Sequence, residues 1–160
     1  MNPVNHSLEV QIGQILTRRG LTLAAAESCT GGLVSHRLTN VPGSSVYFLG
    51  GIVAYANQAK MALLGVHQTT LDAKGAVSQE TVLEMALGVR RALGADIGVA
   101  VSGIAGPGGG TPDKPVGLVW IGLSAADASE AHRFIFQGER LAVKEQSAEA
   151  ALQMVVAYLT

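Results

Sequence analysis

The sequence predicts an α/β fold in which helices cover both faces of a mixed, mainly parallel sheet of about five strands. Helical and strand-like patterns alternate along most of the chain, which is typical of this class. Its 160 residues, 48% of them apolar and 14% charged, suffice for one domain with a substantial core. We find no internal repeat and no linker, so we expect a single domain over residues 1–160.

The first three elements are predicted from hydrophobic spacing and from the residues that end each pattern. Leucine and isoleucine recur at helical spacing over residues 6–19, and a glycine after two arginines predicts the helix end. The apolar run 21–26 predicts a buried strand that leads into a polar turn. A second helix is expected to begin at Thr30 or Gly31 and to end near Asn40, before a Val-Pro-Gly sequence.

The middle of the chain predicts an irregular strand and a short helix. Residues 45–56 are rich in β-branched and aromatic side chains around a pair of glycines, so we expect a strand with a bulge or a close backbone contact. Asn57 is expected to cap the helix that follows. This helix carries Lys60 and should end near Gly65.

The second half predicts two further helices and three strands. Ser78 is expected to cap a long helix that ends at Gly94, and a buried strand follows over 96–102. Residues 116–123 and 131–136 are expected to form an antiparallel pair, which makes the sheet mixed. A closing helix is marked by Leu141, Ala148, Leu152, Val155 and Leu159.

The composition excludes several classes of protein. The 11 basic and 12 acidic residues give a net charge of −1, which offers no electrostatic footprint for gripping a nucleic-acid backbone along its length. No apolar stretch approaches the roughly 20 residues of a membrane span, and the N-terminus lacks the layout of a signal peptide. The single cysteine and the four scattered histidines predict neither a disulfide nor a metal site. We expect a cytoplasmic protein with no nucleic-acid or membrane partner, and the low number of charges favours a homo-oligomer.

Two glycine-rich segments each follow a predicted strand, at the sheet edge where α/β folds bind ligands. In the first, AESCTGG over 26–32, Ser28 lies on a sharp turn into a helix and is a candidate nucleophile for acyl transfer. Free N–H groups at that helix start are candidate oxyanion donors, at Thr30, Gly31 and Gly32. Two alternatives stay open: Ser28 only caps the helix, or Cys29 is the nucleophile because a helix N-terminus lowers a thiol pKa.

The second segment, SGIAGPGGG over 102–110, lacks the Lys-Ser/Thr pair of a P-loop and the spacing of a dinucleotide fingerprint. Its glycines allow backbone N–H groups to approach an anion, so it is a candidate phosphate nest, with an ordinary surface loop as the alternative. Arg140, at the start of the last helix, could pair with a phosphate or with Glu139. The candidate backbone contacts in this segment are Gly103, Gly106, Gly108 and Gly109.

Lys60 is a candidate base for an electrostatic reason. In the first turn of its helix the dipole disfavours a cation, and burial would also lower the pKa of the amine. The alternative is a solvated surface lysine. Tyr55, just before this helix, is a candidate proton relay or substrate contact, with a half-buried strand tyrosine as the alternative.

Four motifs, in this order, resemble the CinA C-terminal family: AESCTGGLVSHRLTNVPGSS, GIVAYANQAKMALLGV, GAVSQETVLEMA and VSGIAGPGGGTPDKPVGLVWIGL. The resemblance extends from about Leu21 to the last helix. It implies a three-layer α/β/α fold and the activity of a nicotinamide-nucleotide amidohydrolase. Such an enzyme converts nicotinamide mononucleotide to nicotinate mononucleotide and ammonia in pyridine-nucleotide salvage. The chain resembles the stand-alone deamidase form, for which we expect no cofactor and no metal.

These residues give a hypothesis for the mechanism. Ser28 attacks the carboxamide carbon after Lys60 takes its proton, and Tyr55 helps to pass that proton to the departing ammonia. Asn57 or Ser45 is expected to orient the amide, and Ser45 is also a fallback participant in proton transfer. The rival hypothesis is a non-catalytic nucleotide-binding or protein-interaction module linked to competence or the DNA-damage response.

Overall fold

Helices and strands alternate from the first helix to the third, as the pattern of apolar residues predicts, and two further helices then precede the third strand. The structure is a computed structural model that describes residues 7–160. The described helices are α1 (Leu8–Arg19), α2 (Leu33–Thr39), α3 (Asn57–Leu64), α4 (Gln68–Lys74), α5 (Gln79–Leu93) and α6 (Arg140–Leu159). The strands are β1 (Leu23–Glu27), β2 (Phe48–Val53), β3 (Ile97–Gly103), β4 (Leu118–Ser124) and β5 (Ser129–Ile135), and a short 3-10 turn covers Ser44–Val46.

The five strands form one mixed sheet in the order β2-β1-β3-β4-β5. Strand β1 pairs in parallel with both β2 and β3, whereas β4 runs antiparallel to β3 and to β5. Four strands therefore run in one direction and one runs against them. The predicted fold class, a mainly parallel sheet made mixed by a final hairpin, is confirmed.

Each face of the sheet is covered by helices, which gives three layers. One apolar cluster joins α1, α2 and α6 to the sheet and includes Leu16, Leu38 and Leu152. A second apolar cluster joins α3 and α5 to the other face of the sheet and includes Leu64 and Met85. The strands carry alanine and glycine on that second face, so α5 packs very close to the sheet.

The helix ends follow the sequence signals closely. Helices α1, α3 and α5 each end on a glycine with a left-handed backbone, which suits glycine because it has no β-carbon. The Ser78 hydroxyl accepts a hydrogen bond from the Thr81 N–H at 3.1 Å and caps α5 as predicted. The predicted start of the first helix at residue 6, and with it His6, lies outside the described residues.

Three local expectations differ from the structure. The N-cap of α3 is Ala56, with an extended backbone, and Asn57 is the first helical residue, so the prediction that Asn57 caps this helix was wrong. The predicted strand 45–56 begins with a 3-10 turn, which follows a glycine in the left-handed region. Helix α4 was not predicted. The expected bulge is confirmed, because Leu23 and Ala24 of β1 pair with Phe48 and Gly50 and skip one residue of β2.

None of the helices in residues 7–160 combines the length and the apolar character that crossing a membrane requires.

Candidate active site

The carboxyl ends of β1, β2 and β3 meet at one edge of the sheet, and a pocket of about 200 Å³ lies there. Its walls include Ser28, Tyr55, Asn57, Lys60, Ser102 and Arg140. A larger groove of about 520 Å³ lies between α1 and the 3-10 turn, but the part of the chain that lines it contributes no lysine, histidine or carboxylate. The smaller pocket is the candidate site because it brings a hydroxyl and an amine together.

Lys60 and Ser28 are in direct contact at the base of this pocket. The Lys60 Nζ atom lies 3.1 Å from Ser28 Oγ, 3.0 Å from the carbonyl oxygen of Ala54 and 2.9 Å from that of Tyr55. A neutral amine has two N–H groups and one lone pair. The two carbonyl oxygens can accept both N–H groups, which leaves the lone pair to accept the Ser28 O–H. This is the geometry that a general base needs beside its nucleophile.

The sheet holds both partners in place. The Ser28 N–H donates to the carbonyl of Val101 at 3.0 Å, so β3 fixes the backbone of the serine. The Ala54 N–H donates to the carbonyl of Glu27 at 2.8 Å, which fixes the end of β2. The carbonyl groups that receive Lys60 are therefore positioned by the same strand that carries Ser28.

Burial controls the charge of Lys60. Its side chain is 1% exposed, and removal from water lowers its pKa from the ordinary lysine value. No carboxylate forms an ion pair with Lys60 among the described residues. The ammonium form therefore has no opposite charge to offset its desolvation, and burial shifts the equilibrium toward the neutral amine.

The start of α2 is occupied by a carboxylate. Glu27 is fully buried, and its carboxylate accepts the N–H groups of Val34 and Ser35 at 2.8 and 3.0 Å and the Ser35 hydroxyl at 2.7 Å. These first-turn donors are therefore unavailable to a substrate. Glu27 acts as the cap of α2 and rigidifies the turn that presents Ser28.

Of the expected oxyanion donors, Gly31 is already engaged. Its N–H donates to the Ser28 carbonyl at 3.0 Å, which contradicts the expectation of a free donor at that position. The turn closes on itself there because Gly31 adopts a left-handed backbone. The N–H groups of Thr30 and Gly32 have no acceptor within residues 7–160, but neither residue lines the pocket and Thr30 is buried.

The environment of Cys29 is unsuited to a nucleophilic thiol. Cys29 borders the candidate pocket, but its side chain is only 6% exposed and packs in the core cluster of the α1, α2 and α6 face. Burial raises its pKa to about 11, and the negative charge of Glu27 adds to this rise. The expectation that a helix N-terminus would lower this pKa was wrong, because Glu27 occupies the start of the helix and the thiol is removed from water.

Arg140 joins two walls of the pocket. Its guanidinium donates to the carbonyl oxygen of Gly106 at 2.8 Å and to the Tyr55 hydroxyl at 3.0 Å. The alternative pairing of Arg140 with Glu139 is not formed. Tyr55 is 61% exposed, so its hydroxyl lies at the mouth of the pocket, whereas its carbonyl holds Lys60 at the base.

The remaining candidates divide between the pocket and other places. Gly103 lines the pocket, and Gly108 and Gly109 are exposed in the loop beyond Gly106. Ser45 lies in the 3-10 turn that precedes β2. Strands β1 and β2 are parallel. The turn before β2 therefore lies at the opposite edge of the sheet from Ser28, which follows β1. Ser45 is thus not part of the pocket within a single chain, which contradicts its expected role there.

Sequence reasoning missed Ser102 as a member of the site. It is fully buried at the end of β3, and its hydroxyl donates to the carbonyl of Ala76 at 2.7 Å. This bond holds the loop between α4 and α5 against the pocket, where Ala76 and Val77 form part of the wall. The sequence signal that could have identified Ser102 is its position as the first residue of the second glycine-rich segment.

Comparisons with known proteins agree on one family. The sequence model of the protein family described as the CinA C-terminal domain matches residues 5–159 of this chain. The CinA-like protein of Chloroherpeton thalassium is 53% identical over 152 residues, which cover 92% of this chain and 36% of the relative. The CinA-like protein of Salinibacter ruber is 52% identical over 147 residues, again 92% of this chain and 36% of the relative. The chain thus spans about a third of the length of these curated relatives.

Solved structures match the fold over nearly all of the chain. The competence/damage inducible protein CihA from Agrobacterium tumefaciens is 41% identical, with a TM-score of 0.94 over 96% of this chain and 94% of that one. A CinA superfamily protein from Klebsiella pneumoniae is 35% identical, with a TM-score of 0.91 over 95% of each chain. The names of these relatives refer to competence and damage, and none states a substrate.

Proposed function

The chain belongs to the CinA C-terminal domain family, and from that premise we propose that it is an amidohydrolase that deamidates nicotinamide mononucleotide to nicotinate mononucleotide and ammonia. The observation that carries this proposal is the contact between Ser28 Oγ and the buried Lys60 amine at 3.1 Å. A serine beside a neutral amine is suited to attack on an amide carbon. The substrate itself follows from the family resemblance.

The first half of the reaction forms an ester with the enzyme. Ser28 Oγ attacks the carboxamide carbon while its proton passes to the lone pair of Lys60. The carbonyl oxygen becomes an oxyanion, for which the free N–H groups of Thr30 and Gly32 are the candidate donors. The C–N bond then breaks, and the nitrogen leaves as ammonia after receiving a proton directly from the Lys60 ammonium, which the Tyr55 carbonyl helps to hold in place.

The second half releases the acid. A water molecule gives a proton to the regenerated Lys60 amine and attacks the ester carbon, and Ser28 recovers its proton as the ester bond breaks. The balance is one amide and one water converted to one carboxylic acid and one ammonia.

We also propose that the enzyme works in a reducing cytoplasm. The single cysteine is buried and unpaired, which fits such a compartment.

The test is ammonia release from nicotinamide mononucleotide by the purified chain and by Ser28→Ala. We expect turnover by the unaltered chain and a loss of at least about 1,000-fold in Ser28→Ala, since removal of a nucleophile disables the whole catalytic unit. Circular dichroism of both proteins would show whether the fold is retained. Full turnover by Ser28→Ala would reject Ser28 as the nucleophile.

The names of the relatives favour a second candidate, a nucleotide-binding module without turnover that acts in competence or the response to damage. The same assay separates the two. Such a module would be stabilised against heat by the mononucleotide and would release no ammonia from it.

A further inference from the structure

A second cation lies beside the turn that carries Ser28, and the mechanism makes no use of it. Lys144 of α6 places its Nζ atom 3.6 Å from the point that a β-carbon on Gly31 would occupy. Its charge also acts on Cys29, the residue next to Ser28. Lys144 forms no salt bridge within residues 7–160.

Arg140 and Lys144 present two positive charges on one face of α6. Residues four apart in a helix are neighbours, and two like charges at that spacing repel each other. Glu149, a carboxylate on the same helix, is paired with Arg37 at 2.7 Å. Glu27, the carboxylate nearest to Ser28 in sequence, is used by the start of α2. Neither Glu149 nor Glu27 therefore pairs with Arg140 or Lys144. An anion bound between the two cations would offset the repulsion between their positive charges.

The size of the pocket indicates where a nucleotide would carry its anion. Sites that enclose a whole drug-sized ligand measure about 300–1,000 Å³, and this pocket measures about 200 Å³. It suits an amide-bearing ring at Ser28, so the ribose and the phosphate would extend to the mouth. Arg140 lies at that mouth, where two of its N–H groups are already donated to Gly106 and Tyr55.

We propose that Lys144 is a specificity-determining residue, whose ammonium binds the phosphate of the substrate together with Arg140. Its effect is a preference for a mononucleotide over the corresponding nucleoside. This inference rests on the proposed function, which places the nicotinamide ring of the substrate at Ser28. It adds a residue that selects the mononucleotide over the nucleoside.

The kinetic test compares Lys144→Gln with the unaltered chain on nicotinamide mononucleotide and on nicotinamide riboside, which lacks the phosphate. We expect KM for the mononucleotide to rise about tenfold, the low end for loss of a charged hydrogen-bond partner. The kcat for the mononucleotide and both constants for the riboside should change less than about twofold, and Lys144→Arg should restore KM because it keeps the charge.

A matched control removes the same charge at the opposite edge of the sheet. Arg91 is exposed in the last turn of α5, so Arg91→Gln should leave both substrates unaffected. Equal losses on mononucleotide and riboside in Lys144→Gln would mean that Lys144 only supports the turn, and this result would overturn the proposal. An unchanged KM for the mononucleotide would overturn it as well.

A binding measurement keeps this inference separate from the amidase proposal. Calorimetry would give the Kd of nicotinate mononucleotide and of nicotinate riboside for both proteins, and neither ligand carries an amide to hydrolyse. We expect Lys144→Gln to weaken only the mononucleotide, again by about tenfold. If ammonia release were absent but this selective loss were found, the proposed function would fail and the role of Lys144 would stand. If both ligands weakened equally, the role of Lys144 would fail whatever the activity.

Discussion

At the scale of single residues, the proposed mechanism makes activity depend on the protonation of Lys60, because only the neutral amine can accept the Ser28 proton. Burial lowers the pKa of Lys60, so the fraction of neutral amine rises with pH through a value below that of a free lysine. We expect kcat/KM for ammonia release to increase with pH through this lowered pKa. A profile that shows no rise anywhere below the ordinary lysine pKa near 10.4 would count against Lys60 as the base.

The same shift predicts a pH dependence of stability. The folded chain binds fewer protons at Lys60 than the unfolded chain does between the lowered pKa and the ordinary one, so stability rises with pH in that window. We expect the free energy of unfolding of the unaltered chain to increase relative to that of Lys60→Met between about pH 7 and pH 9. Urea titrations at several pH values would measure it, and a constant difference would show that Lys60 is charged in the folded state.

Cys29, the residue next to the proposed nucleophile Ser28, gives a further prediction. Its pKa of about 11 leaves the thiol protonated near neutrality, and the side chain is buried. We expect Cys29→Ala to keep ammonia release within a few-fold of the unaltered chain, and iodoacetamide to modify Cys29 slowly at pH 7.5. Rapid alkylation with loss of activity would instead indicate a reactive thiolate.

At the scale of elements, the position of Lys60 depends on how closely α3 approaches α5. A β-carbon on Gly88 of α5 would collide with the backbone carbonyl of Leu64 at the end of α3. We expect Gly88→Ala to destabilise the fold by about 1–3 kcal/mol and to lower kcat, because α3 carries Lys60 and must shift. Gly108 is the matched control, since a β-carbon there meets no atom within 4 Å. Thermal unfolding of both variants would measure the effect, and equal melting temperatures would contradict it.

The elements themselves were largely predictable from local signals, and the exceptions have physical causes. Helix α5 follows its serine cap and its final glycine, because both signals act within a few residues. Helix α3 begins at Asn57 with Ala56 at the cap, since the end of β2 and the Lys60 contacts fix the backbone there in place of a side-chain cap. The Glu27 carboxylate reaches seven and eight residues along the chain, which no local pattern reveals.

At the scale of the whole molecule, the proposed chemistry relies on groups that the chain itself provides. A hydroxyl, an amine and backbone N–H groups carry each charge that develops, so we expect ammonia release to continue in protein treated with a chelator. The melting temperature should also be unchanged by that treatment. A loss of activity that zinc or magnesium restores would show that an ion takes part, and the proposed mechanism would then be incomplete.

The arrangement of the sheet explains how much of the site could be derived from sequence. Ser28 and the segment from Ser102 were expected together because each follows a buried strand, and adjacent parallel strands end at the same edge. The location of Ser45 at the opposite edge follows from the parallel pairing of β1 with β2, which the sequence alone does not show. Likewise, the link from Arg140 to Tyr55 and Gly106 joins residues far apart in the chain.

The order of the strands also gives Ser28 and Lys60 unequal support. Ser28 follows β1, which has a neighbour on each side, whereas Lys60 follows β2, the outermost strand on its side. We expect a distortion of β2 to shift the Ala54 and Tyr55 carbonyl groups, which hold Lys60, more than it shifts Ser28.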